Sequence, residues 1–231
     1  ELKGSARRFY RMLEIAPGLA SWTTLLGVLW LSNYRPFIAA YFIIGFAIYW
    51  VLKTAFLSYH LRHNWKRLRH HMKVDWQTMV DRFEFGHLYH MVILPFYDES
   101  EEIVDATITS IAEAHYDTKS IIIVLGSEER AGEKAQQVSK RMKEKWGSKF
   151  GAFLTTIHPA NVPGEMAGKG SNASYAAEEA RVKVLDSHGI CYNHVIVSIF
   201  DIDTVLYADY FNCLVWHFMT TDNPHKSSFQ P

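Results

Sequence analysis

Asp201 and Asp203 stand one residue apart, just past the apolar run HVIVSIF (194–200), in a chain of 231 residues. In extended backbone, residues i and i+2 point the same way. The two carboxylates therefore face one side and repel each other unless a cation joins them. No Lys or Arg lies between positions 184 and 225 to do so. Mg²⁺ or Mn²⁺ suits such a pair, because each takes one or two carboxylates and completes its shell with water and substrate phosphate. The pair is read as a metal site, the ion bridging Asp203, and with it Asp201, to a diphosphate.

Other groups able to do chemistry follow other apolar runs. Asp98 and Glu99 come after HMVILPF (90–96), and Glu128 and Glu129 after SIIIVLG (120–126). Carboxylates there accept hydrogen bonds from ribose hydroxyls or a base N–H. After GAFLTTIHP (151–159) come Gly164, Gly168, Lys169 and Gly170, ahead of an Ala-rich stretch. Such glycines let backbone approach a phosphate, and Lys169 adds positive charge. This is not a Walker loop. Three residues rather than four separate Gly164 from Gly168, and Gly170 follows the lysine where Ser or Thr is required. Nor does a GxGxxG fingerprint follow the first apolar run.

The elements that must position these groups alternate. Strands are expected at 90–96, 120–126, 151–159 and 194–200. Helices are expected after Ser100, with Ile103, Ala106, Thr107, Ser110, Ile111 and Ala114 inward; over 128–146, with Val138 and Met142 inward; over 169–189, ending at Gly189; and over 207–219. The strand at 120–126 is continuous and β-branched, as suits a strand covered on both faces. This order predicts an α/β domain with an open, mostly parallel sheet. Ligands of such sheets bind beyond the carboxyl ends of the strands, where the groups above lie.

The first part of the chain differs in kind. Residues 1–74 hold eleven Lys/Arg against two acids, Glu1 and Glu14, for a net of +9, and the remainder carries −9. Segments 15–31 and 37–57 are apolar, with Lys53 the one charge in either, and each is long enough to span a bilayer. The five-residue linker SNYRP makes them a transmembrane hairpin (1–57), with Trp22, Trp30, Tyr34, Tyr49 and Trp50 as interfacial aromatics. Lys3, Arg7, Arg8 and Arg11 precede the hairpin, and Arg62, Lys66, Arg67, Arg69 and Lys73 follow it. The positive-inside rule then puts both ends in the cytoplasm. Residues 58–85 repeat Leu61, Trp65, Leu68, Met72, Met79 and Phe83 at helical spacing among basic residues, as in an amphipathic helix lying on an anionic membrane surface. His60, His63, His70 and His71 have no carboxylate close in sequence and read as a solvated basic face. Cys191 and Cys213, far apart and outside any CxxC, read as reduced thiols.

Taken together, VILPFYDES, GKGSNASYA and SIFDIDTVLYADYF resemble, in order and spacing, the opening strand, the Gly-Lys segment and the D-x-D strand of family 2 glycosyltransferases. The similarity covers about residues 90–220, and two membrane helices ahead of it are similar to those of polysaccharide-synthase-type members. The resemblance implies a GT-A fold for residues 86–231, incomplete at the C-terminus, and inverting transfer of a sugar from a nucleotide-diphosphate donor, UDP-sugar first among them. The acceptor would be a saccharide or a lipid. By position, Pro95, Tyr97 and Glu99 would line the nucleoside pocket and Glu128 would meet the base. Lys169 would approach the phosphates, and Asp201 and Asp203 the metal. LGSEER stands where the family has DDGS, and Asp98 where it has Asn, which leaves the base contact less defined. The family's later catalytic carboxylate, often in TED, and the QxxRW of processive members do not occur, so the general base is expected beyond residue 231. Asp209 and Asp222 are expected on a helix surface instead. The expected protein is a multi-pass cell-membrane enzyme with its catalytic domain on the cytoplasmic side. Its partners are the donor, the acceptor and membrane lipids, and not nucleic acid. A nucleotidylyltransferase-like membrane enzyme and a non-catalytic nucleotide-sugar-binding assembly subunit are the alternatives.

Overall fold

The computed structural model describes residues 3–83 and 88–229, and the chain divides into two compact units, 1–71 and 72–231. The first unit is a helical hairpin of α1 (Gly4–Tyr34) and α2 (Pro36–His71). Its linker is Arg35 alone rather than five residues, because the Arg35 N–H still caps Leu31 O at 2.7 Å while Pro36 begins α2 at a position that needs no N–H. Ala39 is the one buried residue recorded on either helix; Trp22, Leu25, Trp50 and Phe56 are all exposed. Both helices are long and apolar enough to cross a membrane. Within this chain their apolar stretches stay largely uncovered.

The separate amphipathic helix expected over 58–85 is not present. No Gly or Pro interrupts the chain at 57–71, so α2 runs on through His71. A short α3 (Trp76–Val80), capped by Asp75 Oδ1 accepting from the Thr78 N–H at 3.1 Å, belongs to the second unit instead. Its Trp76 and Val80 are buried, and Val80 packs with Leu88, Ile196, Leu214 and Val215. Positions 84–85 of that expected helix, and 86–87 at the start of the expected domain, lie outside the described residues.

The second unit holds four strands, β1 (Tyr89–Pro95), β2 (Ile121–Glu128), β3 (Ala152–His158) and β4 (Val195–Ile199). They form one sheet of order β3-β2-β1-β4, and every pairing among them is parallel. The helices are α4 (Glu101–Ala112), α5 (Gly132–Trp146), α6 (Lys169–Ala180), which continues as a π-helical turn over Arg181–Asp186, and α7 (Tyr210–Thr220). From β1 to β3 the chain steps one way across the sheet; from β3 to β4 it jumps back past β1. Parallel crossovers are right-handed, so this reversal sends α6 to the opposite face from α4 and α5. The packing agrees. Val104, Ile108, Val138 and Met142 of α4 and α5 cover Val92, Leu94, Ile123 and Leu125, while Ala173, Ala176 and Ala180 of α6 cover Met91, Ile93, Ile122 and Val124.

Two expected details shift. The inward stripe of α4 is Val104, Thr107, Ile108 and Ile111, and Ile103 and Ala106 are exposed. Residue 128 ends β2 rather than opening a helix, because the register with β3 extends to Glu128↔His158 and α5 waits for Gly132, at φ 76°. Cys191 and Cys213 form no disulfide.

One core residue carries a pH signature. His90 of β1 is fully buried between the rings of Tyr116 and Phe211, both with centroids 4.7 Å away, and among the described residues neither ring nitrogen has a hydrogen-bond partner. Burial pushes its pKa down to about 3. The folded state therefore holds His90 neutral while the unfolded chain takes up a proton below its ordinary value near 6.5. Stability from this group is complete above that pH and falls as pH drops toward the folded value, by about 2 kcal/mol at pH 5. The urea midpoint of the detergent-solubilised protein should fall between pH 7 and 5. His90→Leu should remove most of that fall. An unchanged pH slope in His90→Leu would assign the acid sensitivity elsewhere.

Candidate functional site

The strand order reverses between β1 and β4, and the crevice beyond the carboxyl ends of those strands is where open α/β sheets hold ligands. A cleft of about 640 Å³ opens there. Pro95, Tyr97, Glu99, Glu128, Lys169, Asp201 and Asp203, all named from the sequence, line it. They come from four segments spread over more than a hundred positions: the ends of β1 and β2, the start of α6, and the turn after β4. Of the other loop acids, Glu129 accepts the Ala160 N–H at 2.8 Å, and Asp98 is exposed outside the lining. Asp209 is held by His115 Nδ1 at 2.9 Å, and neither Asp209 nor Asp222 borders the cleft.

The acidic pair is presented by a turn rather than by extended chain. β4 ends at Ile199, the Phe200 N–H closes the last sheet bond to Ile93 O at 3.1 Å, and the Thr204 N–H donates to Asp201 O at 3.0 Å. Ile202 points into the core, and the flanking Asp201 and Asp203 stay exposed. Helix α4 pins this turn through two hydroxyls. Thr107 Oγ1 donates to Ile202 O in a buried bond, and Ser110 Oγ accepts from the Leu206 N–H at 3.1 Å.

Lys169 changes the electrostatic account. Its ammonium pairs with Asp201. The expected lack of a nearby cation thus holds along the chain but not in space, since α6 returns a lysine 32 positions earlier to the end of β4. Both side chains are half or more exposed, so the pair contributes at most about 1 kcal/mol and exchanges partners readily. Among the described residues no hydrogen bond or ion pair reaches the Asp203 carboxylate. One compensated and one uncompensated carboxylate, both facing an open cleft, are a donor set that fits a hard divalent cation.

Three lining residues carry signals that the sequence reading missed. Arg130 pairs its Nε with Glu128 Oε2, and its guanidinium lies 5.2 Å from the centre of the Tyr97 ring. Glu128, expected to meet a base on its own, is thus buried with an arginine already on it. The signal was the alternation Glu128-x-Arg130 at a strand end. The Tyr97 N–H donates to Glu99 Oε2 at 2.7 Å, closing the turn after Pro95. Asn172, 1% exposed, donates from Nδ2 to Gly126 O at 2.9 Å, while its Oδ1 has no partner. Gly126 makes that approach feasible, because a Cβ there would lie 3.0 Å from Asn172 Oδ1 and 3.3 Å from Ala176 Cβ. The third, Ile103, joins Phe96 and Ile202 as the apolar part of the lining.

Helix α6 thus delivers Lys169 from its first residue and Asn172 from its first turn, with its amide-rich N-terminus toward the cleft. Such a terminus favours anions. The cleft combines a positive helix end, a buried Glu128 paired with an exposed Arg130 beside an aromatic ring, and an acidic turn, which suits a ligand with a planar polar part and a phosphorylated part. Compared with protein-family models, curated proteins and solved structures, the chain finds no match.

Two substitutions test this account. Thr107→Val keeps the shape but leaves the Ile202 carbonyl without its donor; it should cost about 1–3 kcal/mol in urea unfolding and raise amide exchange over 201–206. Gly126→Ala should cost about 1–3 kcal/mol by forcing α6 off the sheet, and a midpoint equal to the parent's would refute the close approach.

Proposed function

We propose that this chain is a membrane-anchored, metal-dependent glycosyltransferase of the GT-A type, inverting and similar to family 2. On this reading it moves a sugar from a nucleoside diphosphate donor, a UDP-sugar first among candidates, to a saccharide or lipid acceptor. The observation that carries the reading is the convergence, on one cleft at the strand-order reversal, of all seven residues to which the resemblance gives a donor-binding role.

Roles follow from the chemistry of each group. Tyr97, Glu99 and the Glu128–Arg130 pair form the side for the nucleoside, with the Tyr97 ring and the guanidinium as flat surfaces. Lys169 and the first turn of α6 form the side for the diphosphate. Lys169 trades Asp201 for a phosphate oxygen at small cost, because the pair it leaves is exposed. Asp203 and Asp201 would hold Mg²⁺ or Mn²⁺. Such an ion, when bound, supplies Lewis-acid stabilisation of the departing nucleoside diphosphate. Ile103, Phe96 and Ile202 give the cleft an apolar part.

The hairpin is read as two membrane spans. Its exposed apolar side chains support that reading, and the basic residues at both ends favour a cytoplasmic placement of the α/β unit.

The test is donor turnover by the full-length protein in membranes with Mn²⁺. The parent should release nucleoside diphosphate. Asp203→Ala should lower turnover by at least about a hundredfold, the loss expected when several kcal/mol of charge stabilisation is removed, and should weaken Mn²⁺-dependent nucleotide binding. Turnover unchanged in Asp203→Ala would reject the metal role. Release of pyrophosphate from a sugar phosphate and a nucleoside triphosphate would replace sugar transfer with nucleotidyl transfer.

A further inference from the structure

We propose that the basic end of α2 away from the turn is a binding surface for anionic phospholipid headgroups, with the basic start of α1 reaching the same depth. The inference rests on the reading of both helices as membrane spans and is independent of the sugar-transfer chemistry.

The argument begins with helix length. Arg8 and Arg62 lie 27 residues before and after Arg35, the single residue of the turn. Both positions fall inside one continuous helix, α1 carrying Pro17 within it, so each is about 40 Å from the turn along its own axis. The hydrocarbon layer is about 30 Å thick, and ordinary helix tilts of about 20° shorten 40 Å by only a few ångström. With the turn at one face of the bilayer, both arginines emerge in the headgroup layer of the other.

Charge is arranged to match. Residues 17–34 hold no charge, and between Arg35 and Arg62 only Lys53 is charged, with its ammonium 4.7 Å from the Trp50 ring. Beyond those stretches α1 carries Arg7 and Arg8, and α2 carries Arg62, Lys66, Arg67 and Arg69. No Asp or Glu occurs between Glu14 and Asp75. Glu14 is itself held by Arg11 at 2.7 Å. By helical spacing Arg62, Lys66 and Arg69 share one face of α2, and Leu61, Trp65 and Leu68 share the adjoining face. All six of those side chains are exposed, and the Arg69 guanidinium lies 5.9 Å from the Trp65 ring. A basic face beside an apolar one, at headgroup depth, matches a phosphate with acyl chains below it. Arginine suits that phosphate because its fork donates two parallel hydrogen bonds.

This places the basic segment upright through the headgroups rather than flat on the surface. A flat helix needs its apolar stripe parallel to the membrane, and continuity of α2 through His71 removes the bend that would require.

The test uses the full-length protein reconstituted in phosphatidylcholine vesicles with traces of spin-labelled phosphatidylglycerol or spin-labelled phosphatidylcholine, reading the motionally restricted fraction of each. The phosphatidylglycerol label should associate about fivefold more strongly at low salt, the factor for one effective basic contact at the surface, and the preference should shrink as salt screens it. The combined variant Arg62→Gln, Lys66→Gln, Arg69→Gln should bind both labels alike, while Arg62→Lys with Arg69→Lys should keep the preference. Equal association in the parent, or a preference that survives the Gln variant, overturns the proposal. Alkaline carbonate extraction followed by flotation separates the failures. A chain that washes off the vesicles overturns the membrane reading and this proposal together, and one that stays but shows no lipid preference overturns this proposal alone.

Discussion

β1 is hydrogen-bonded on both sides, to β2 from His90 to Pro95 and to β4 from Tyr89 to Ile93. Everything in the cleft depends on that double pairing. Because β4 joins on the side away from β2, the chain must cross back over the sheet, and right-handed crossover sends α6 to the uncovered face. That path carries the start of α6 to the mouth of β1 and β4. Had β4 paired with β3, its acidic turn would stand at the far edge, two strands further from the Pro95–Glu99 turn.

The second constraint is close packing of α6. Alanines at 173, 176 and 180 let it lie near the sheet, and Gly126 has no Cβ to hold it off. Only at that distance does Asn172 reach the Gly126 carbonyl. The same seating brings Lys169 to Asp201. A packing choice made of small residues thus decides which charges meet, and the cleft already contains counter-ions for Glu128 and Asp201. Glu99 is engaged by a backbone N–H, which leaves Asp203 as the carboxylate most open to an added cation.

The two units place their apolar residues differently. In the α/β unit the apolar residues of β1 and β2 are buried on both faces. In the hairpin, large apolar side chains face outward along almost its whole length. In water such a surface is costly, at about 25 cal/mol per Å² of apolar area, and both helices are long and apolar enough to cross a membrane. On α2 the basic residues cluster from Arg62 onward, with Lys53 the one charge between Arg35 and Arg62.

Local pattern by itself determined much of this protein. The four apolar runs became the four strands within one or two residues; β1 and β2 are apolar almost throughout because both faces are covered, while β3 and β4 at the sheet edges are only partly buried. The site residues were legible for a related reason. Acids and a lysine that directly follow an apolar run or open a helix stand at the carboxyl ends of the strands, so their common edge could be read from the order of elements. What tertiary structure alone decided were matters of partner and direction. Sequence distance hid Lys169 from Asp201, and it hid Arg130 from Tyr97. Helix phase hid Val104 and Ile108, because a single-residue offset at the start of α4 rotates its inward face by about 100°. The end of α2 was misjudged because a change from apolar to basic residues alters what surrounds a helix without breaking its hydrogen bonds. Strand order was invisible for the deepest reason: four similar strands can pair in several orders, and only the long-range packing of α4, α5 and α6 on the two faces selects one.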